Sequence, residues 1–338
     1  MSVTNSIPLS VLDLAIMNDR ETSADALANT TRMAQRAEAL GYTRFWVAEH
    51  HNMPLVASTT PPVLIAHLAA STTRIHVGSG GVMLPNHPPL VVAEQFAMLE
   101  ALHPGRIDLG IGRAPGTDPI TAAALRRSTA ALAVDEFPQH LIDLMGLLGD
   151  PRGDRGLWER FAATPEPTSM PSVMLLGSSD YSARLAGQLG LPFAFANHFD
   201  TGGTLMALDS YRNNFVPSEA LEQPYAIVTA NVLIAPTDAE ADFLICPGQL
   251  MTYAIRTGRL IPLLSPQDAA VHPDLPAAQR MPSNRIVGGP ESVLAQLTEL
   301  VHKTAANEIM VSTVTYSIAD RLRSLELLAQ VWPLLVRH

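Results

Sequence analysis

Eight short apolar runs, each followed by a stretch with helical spacing, constrain this chain more than any other feature. They are Leu9–Ala15, Thr43–Ala48, Arg74–Ser79, Arg106–Gly110, Val173–Leu176, Phe193–Ala196, Tyr225–Ala235 and Glu308–Val314. Strands separated by helices pair in parallel, because each crossover helix carries the chain back to the same end of the sheet. Eight is the number that closes such a sheet on itself, so the expected fold is α/β, a (β/α)8 TIM barrel. Between the first two runs, Ala24, Leu27, Ala34, Ala37 and Leu40 share one helical face, which Gly41 ends. Helices are also predicted over Thr204–Phe215, Pro290–Thr304 and Ile318–Trp332. An open doubly wound sheet is the weaker reading, since no Gly-x-Gly-x-x-Gly follows the first strand.

Two segments break the period. Residues 117–171 separate the fourth and fifth strands by far more than one helix. Residues 246–289, with prolines at 247, 262, 266, 273, 276 and 282, read as a long excursion over the barrel mouth. The expectation is therefore one barrel domain over 1–338, with insertions after strands 4 and 7 that shape access to the mouth. Thirty-two acidic residues against 22 basic ones give a net charge of −10, which argues against nucleic acid or an anionic membrane surface as partner. No apolar run reaches spanning length, the first residues lack the pattern of a secretion signal, and Cys246 is the sole cysteine. A cytoplasmic protein without disulfides is expected.

The candidate chemistry clusters at strand ends. Val77 runs into Gly78-Ser79-Gly80-Gly81, where glycines permit positive φ and let a flat ligand approach the backbone. Pro88-Pro89 open a helix carrying Val92, Phe96, Leu99 and Leu102, and the next strand leads into Gly110-Ile111-Gly112-Arg113, a small-residue turn presenting one cation. The fifth strand ends at Gly177 and runs into Ser178, Ser179 and Ser182 at a helix start, a natural phosphate pocket; simple N-capping by Ser179 or Asp180 is the plainer alternative. Glu49-His50-His51 ends the second strand, and alternation sends the two imidazoles different ways, so one can face the mouth as a proton carrier. A metal site is not expected: the first strand offers no His-x-His pair, and no HExxH occurs.

AEHH at 48–51, GSGGVMLPNHPP at 78–89, HPGRIDLGIGRAPG at 103–116 and LLGSSDYSARLAGQLGLPFAFANHF at 175–199 together resemble the bacterial luciferase-like flavin-dependent monooxygenases, over nearly the whole chain. The resemblance implies a TIM barrel binding FMN, or in one branch the deazaflavin F420, at its C-terminal mouth. It implies a two-component monooxygenase that takes FMNH2 from a separate flavin reductase and uses O2 on a small-molecule substrate, as a homodimer. The family's catalytic histidine falls on His50 and its phosphate arginine on Arg113; its hydroxyl turn falls on Ser178, Ser179 and Ser182. Its non-proline cis peptide behind the flavin ring falls on Gly80-Gly81. The reactive cysteine of luciferase proper is replaced by Gly112, so light-emitting aldehyde chemistry is not implied. An F420-dependent hydride-transfer oxidoreductase and a non-catalytic flavin-binding barrel are the rival expectations.

Overall fold

The computed structural model describes residues 7–126, 136–199 and 202–334. β1 (Leu9–Asp13), β2 (Arg44–Val47) and β3 (His76–Ser79) lie side by side in parallel. The short β4 (Val82–Met83) lies beside the upper half of β5 (Ile107–Gly112), whose lower half pairs with β3. β6 (Ser172–Gly177), β7 (Phe193–Phe195) and β8 (Ala226–Ile234) continue the sheet. A short β9 (Ile286–Gly288) extends the end of β8, and β10 (Glu308–Ser312) pairs with both β8 and β1. That double pairing closes the sheet: β1, β2, β3, β5, β6, β7, β8 and β10 form an eight-stranded parallel barrel.

Alternation along the strands divides the side chains between two environments. Val11, Phe45, Val77, Leu109, Val173, Phe193, Val228 and Ile309 point outward into the core shared with the helices. That shell includes α1 (Ser23–Ala39), started by a capping box between Thr22 and Asp25, and α3 (Pro89–Leu102), whose Phe96 is fully buried. Residues of the other parity fill the barrel in layers. At the N-terminal end, Arg44 Nη1 lies 2.9 Å from Asp108 and its Nε 3.1 Å from Glu308, while Ser10 and Tyr225 donate hydroxyl bonds to Glu308. Such buried charges are tolerated because each is paired and hydrogen-bonded. Above them Leu12, Trp46, Met174, Ala194, Ile227 and Met310 make an apolar plug. The C-terminal mouth is left for function.

Two expectations about glycine change. β5 runs on through Gly112, so Gly110 and Gly112 are strand residues rather than a turn. Nor does Gly78, Gly80 or Gly81 adopt positive φ. The constraint is space: a Cβ at Gly80 would stand 2.5 Å from Leu12 Cδ1, and one at Gly81 would stand 2.7 Å from the Gly110 carbonyl oxygen. The Gly80-Gly81 peptide is cis, as the resemblance implied.

Two long connections interrupt the β/α repeat. Between β5 and β6 the described residues form α4 (Pro119–Arg126) and α5 (Phe137–Leu147). Between β8 and β9 run α8 (Asp238–Leu244), α9 (Cys246–Arg256), α10 (Pro266–Ala270) and α11 (Leu275–Gln279). The second excursion is thus largely helical. Pro247, Pro266 and Pro276 occupy first-turn positions, where the missing N–H costs nothing.

Candidate functional site

Two joined cavities open at the C-terminal ends of the strands, the face on which barrel enzymes carry their chemistry. The inner one, about 250 Å³, is walled below by the apolar plug and at its sides by His50, Gly80, Gly81, Arg113 and the serine turn. The outer one, about 810 Å³, lies toward α9. Leu14, His50, His198 and Phe199 line both.

Seven residues singled out from the sequence therefore line one cavity: His50, Gly80, Gly81, Arg113, Ser178, Ser179 and Ser182. The cation end forms where β5 and β6 finish side by side. The Arg113 guanidinium lies 4.2 Å from the ring centroid of Tyr181, in the first turn of α6 (Asp180–Gln188). Ser179 occupies the N-cap position, yet its side chain makes no capping bond. Capping by Ser179 is thus not realised, which leaves its hydroxyl available to the cavity. Gly177 is required here because a Cβ would stand 2.6 Å from the buried Ser182 hydroxyl.

The histidines separate as alternation predicts. The His50 Nδ1–H donates to the Gly116 carbonyl at 3.2 Å, which leaves Nε2 as the group free to exchange a proton. Burial pushes the His50 pKa below its usual value, against the opposing pull of Gly116 and Glu49, so the ring is neutral at pH 7. His51 turns away and donates to buried Glu49 at 2.8 Å. Glu49 also accepts a 2.8 Å bond from His87 and a 3.0 Å bond from the Met83 N–H. Burial opposes its charge, but His87, His51 and Met83 outweigh that cost and lower its pKa. Glu49, His51 and His87 also bring three potential ligand atoms within 4.8 Å of one another, a juxtaposition absent from the sequence-based expectation because His87 arrives from another loop.

The sequence-based site omitted His198, which stands beside His50 between the two cavities. Its Nδ1–H donates to Thr229 Oγ1, whose own proton goes to the Phe195 carbonyl at 3.0 Å. Burial, with a smaller contribution from His50, lowers its pKa to about 4. Position alone was the available signal: Asn197-His198-Phe199 ends β7 as Glu49-His50-His51 ends β2. Cys246 is buried, and burial raises its thiol pKa, as suits a packing residue.

The comparisons with known proteins agree with this geometry. An Escherichia coli luciferase-like monooxygenase is 42% identical over 338 aligned residues, covering 96% of this chain and 97% of that protein. The N-acetyl-S-alkylcysteine monooxygenase of Bacillus subtilis is 34% identical, covering 96% and 97%. The crystal structure of apo-MsnO8 superposes with a TM-score of 0.88 at 36% identity, over 99% of this chain and 100% of that one. Two more distant structures share the fold. The oxygenating constituent of 3,6-diketocamphane monooxygenase in complex with FMN has a TM-score of 0.75 at 18% identity, covering 98% of this chain and 99% of that one. An F420-dependent secondary alcohol dehydrogenase has 0.67 at 12%, covering 98% and 100%. The family model for luciferase-like monooxygenases matches residues 10–308, from the polar base of β1 through the histidine pair, the glycine wall and the serine turn to the start of β10. By that match, and by the cavity those motifs enclose, the chain belongs to the luciferase-like monooxygenase family.

Proposed function

We propose that the protein is an FMN-dependent monooxygenase of the two-component type, using FMNH2 from a separate reductase and O2 to oxygenate a small organic substrate. The observation that carries this is the convergence of a cation, an open helix start, a side-chain-free wall and two neutral imidazoles on one cavity. The residues fit the cofactor. A phosphate would be held by Arg113 and the N–H groups and hydroxyls of Ser178, Ser179 and Ser182. Gly80 and Gly81 leave a face on which a flat ring can lie against the backbone.

When bound, reduced flavin would supply the electrons that activate O2, chemistry none of these side chains can perform. The chain's own contribution is positioning, water exclusion and proton management. Leu12, Trp46, Ala48 and Met310 form an apolar floor that keeps water out. The Gly116 carbonyl orients His50 so that Nε2 can take up or return a proton at the junction of the cavities. Thr229 fixes the His198 tautomer in the same way. The activity named for the Bacillus subtilis relative supports oxygenation, while a homodimer and a cytoplasmic location accord with the family resemblance and the single cysteine.

The test is anaerobic titration with FMN, FMNH2 and F420 followed by fluorescence quenching, then admission of O2 and measurement of its consumption. FMNH2 binding tighter than FMN, with oxygen uptake, is expected. Preferential F420 binding replaces this reading with hydride transfer, and flavin binding with no oxygen uptake beyond that of free FMNH2 leaves a non-catalytic flavin-binding barrel.

A further inference from the structure

We infer that the outer cavity selects a small organic carboxylate, with its anionic end held at Arg285 and its apolar body directed toward His50 and His198. The inference rests on the proposed flavin reading only for the identity of what lies in the inner cavity. Two guanidiniums, Arg256 and Arg285, line the outer cavity, and no Asp or Glu does among the described residues. This is a local reversal of sign in a chain whose net charge is −10. It is not a patch on a generally basic surface.

Arg285 precedes β9 and is partly buried. Its Nη2 donates to the Gly248 carbonyl at 3.2 Å and to Thr252 Oγ1 at 2.5 Å, both on α9. Those bonds fix the plane of the guanidinium but use neutral acceptors, and it forms no ion pair with a described residue. Nε and Nη1 make no hydrogen bond to described residues. Arg256 lies one turn beyond Thr252 on α9, is exposed, and forms no ion pair with a described residue. Burial and the nearby Arg256 cation lower the Arg285 pKa, the direction expected where positive charges face each other without an anion. An anionic ligand would relieve both costs, and a guanidinium held by its neighbours loses little freedom on binding it.

The rest of the chamber sets the ligand's character. Ile16, Met53, Met251, Ile255 and Val314 form apolar walls, among which Asn231, Ser283, Asn284 and Ser312 set neutral polar groups. A monoanion with an apolar body fits that distribution. Since His50 and His198 line both cavities, the end of the ligand remote from Arg285 meets the inner site.

The test is calorimetric titration of hexanoate and hexanamide, matched in shape and differing in charge, into wild type, Arg285→Gln and Arg256→Gln, each with and without FMN. In wild type, hexanoate should bind about tenfold or more tighter than hexanamide, and Arg285→Gln should abolish that preference. Arg256→Gln should reduce it about threefold, and this exposed position carries the test if Arg285→Gln does not fold. Failure of hexanoate to bind in preference to hexanamide, whether both bind or neither does, overturns the inference. So does a preference that survives both substitutions. FMN affinity in the same samples is read separately. Loss of flavin binding with the carboxylate preference intact sinks the flavin reading alone, and the converse sinks this inference alone.

Discussion

The two cavities meet at His50 and His198 but are built differently. The inner one is made by the barrel itself: its walls are the last residues of consecutive strands, and its shape depends on backbones in contact, as between Gly81 and the Gly110 carbonyl. The outer one is closed on one side by the connection between β8 and β10, and Ile255 and Arg256 at its wall are exposed. A wall of packed backbone resists change, whereas a wall of helix-borne side chains on an excursion tolerates it. On the proposed reading, the inner half would hold the cofactor and the outer half would choose the substrate.

The largest effect should follow from breaking the backbone contact. The sequence alone reads Gly81 as a residue that admits a flat ligand, but a Cβ there would stand 2.7 Å from the Gly110 oxygen, so the fold also needs the space. Gly81→Val should cost roughly 1–3 kcal/mol or more through overpacking, seen as a lower urea midpoint, and should also abolish flavin binding. A fully stable variant would show that the inner wall is as yielding as the outer.

The second effect is on acid stability. His198 has a folded pKa of about 4 against an ordinary value of 6.5, so the unfolded chain binds more protons between those pH values. Its contribution is fully present above about pH 6.5 and is lost as pH falls toward 4, by up to ~3 kcal/mol. Urea unfolding of wild type and His198→Asn across this window should show a shallower acid loss in the variant. Parallel curves would mean that His198 is not held neutral at the junction.

His50→Ala should lower turnover on the order of a hundredfold while leaving flavin affinity unchanged. Comparison of kcat with the flavin Kd separates these, and unchanged turnover would transfer the proton role to His198. Arg113→Ala should weaken FMN binding about ten- to a hundredfold with a smaller change in the chemical step, because it removes a charge-assisted contact. If FMN binds the variant as well as wild type, the phosphate lies elsewhere. The smallest effect belongs to the outer wall: Ile255→Ala should change stability by less than about 0.5 kcal/mol and leave flavin affinity unaltered, with any effect confined to substrate KM. A change in flavin affinity there would erase the distinction between the two halves.

The sequence by itself determined the barrel and most of the inner site. Strand alternation is a local period, visible as apolar runs at fixed spacing, and a parallel barrel brings the ends of all its strands to one mouth. His50, Arg113 and the serine turn could therefore be placed together without knowing any contact between them. What only the tertiary structure decided depends on residues far apart in the chain. The Gly81–Gly110 approach, the Glu49–His87 pair, the His198–Thr229 bond and the Arg285–Thr252 bond each join separate elements. None leaves a periodic trace. The glycines at 78–81 read as turn residues because sequence shows only that a side chain is missing, and the packed neighbours alone reveal that the reason is space rather than dihedral freedom.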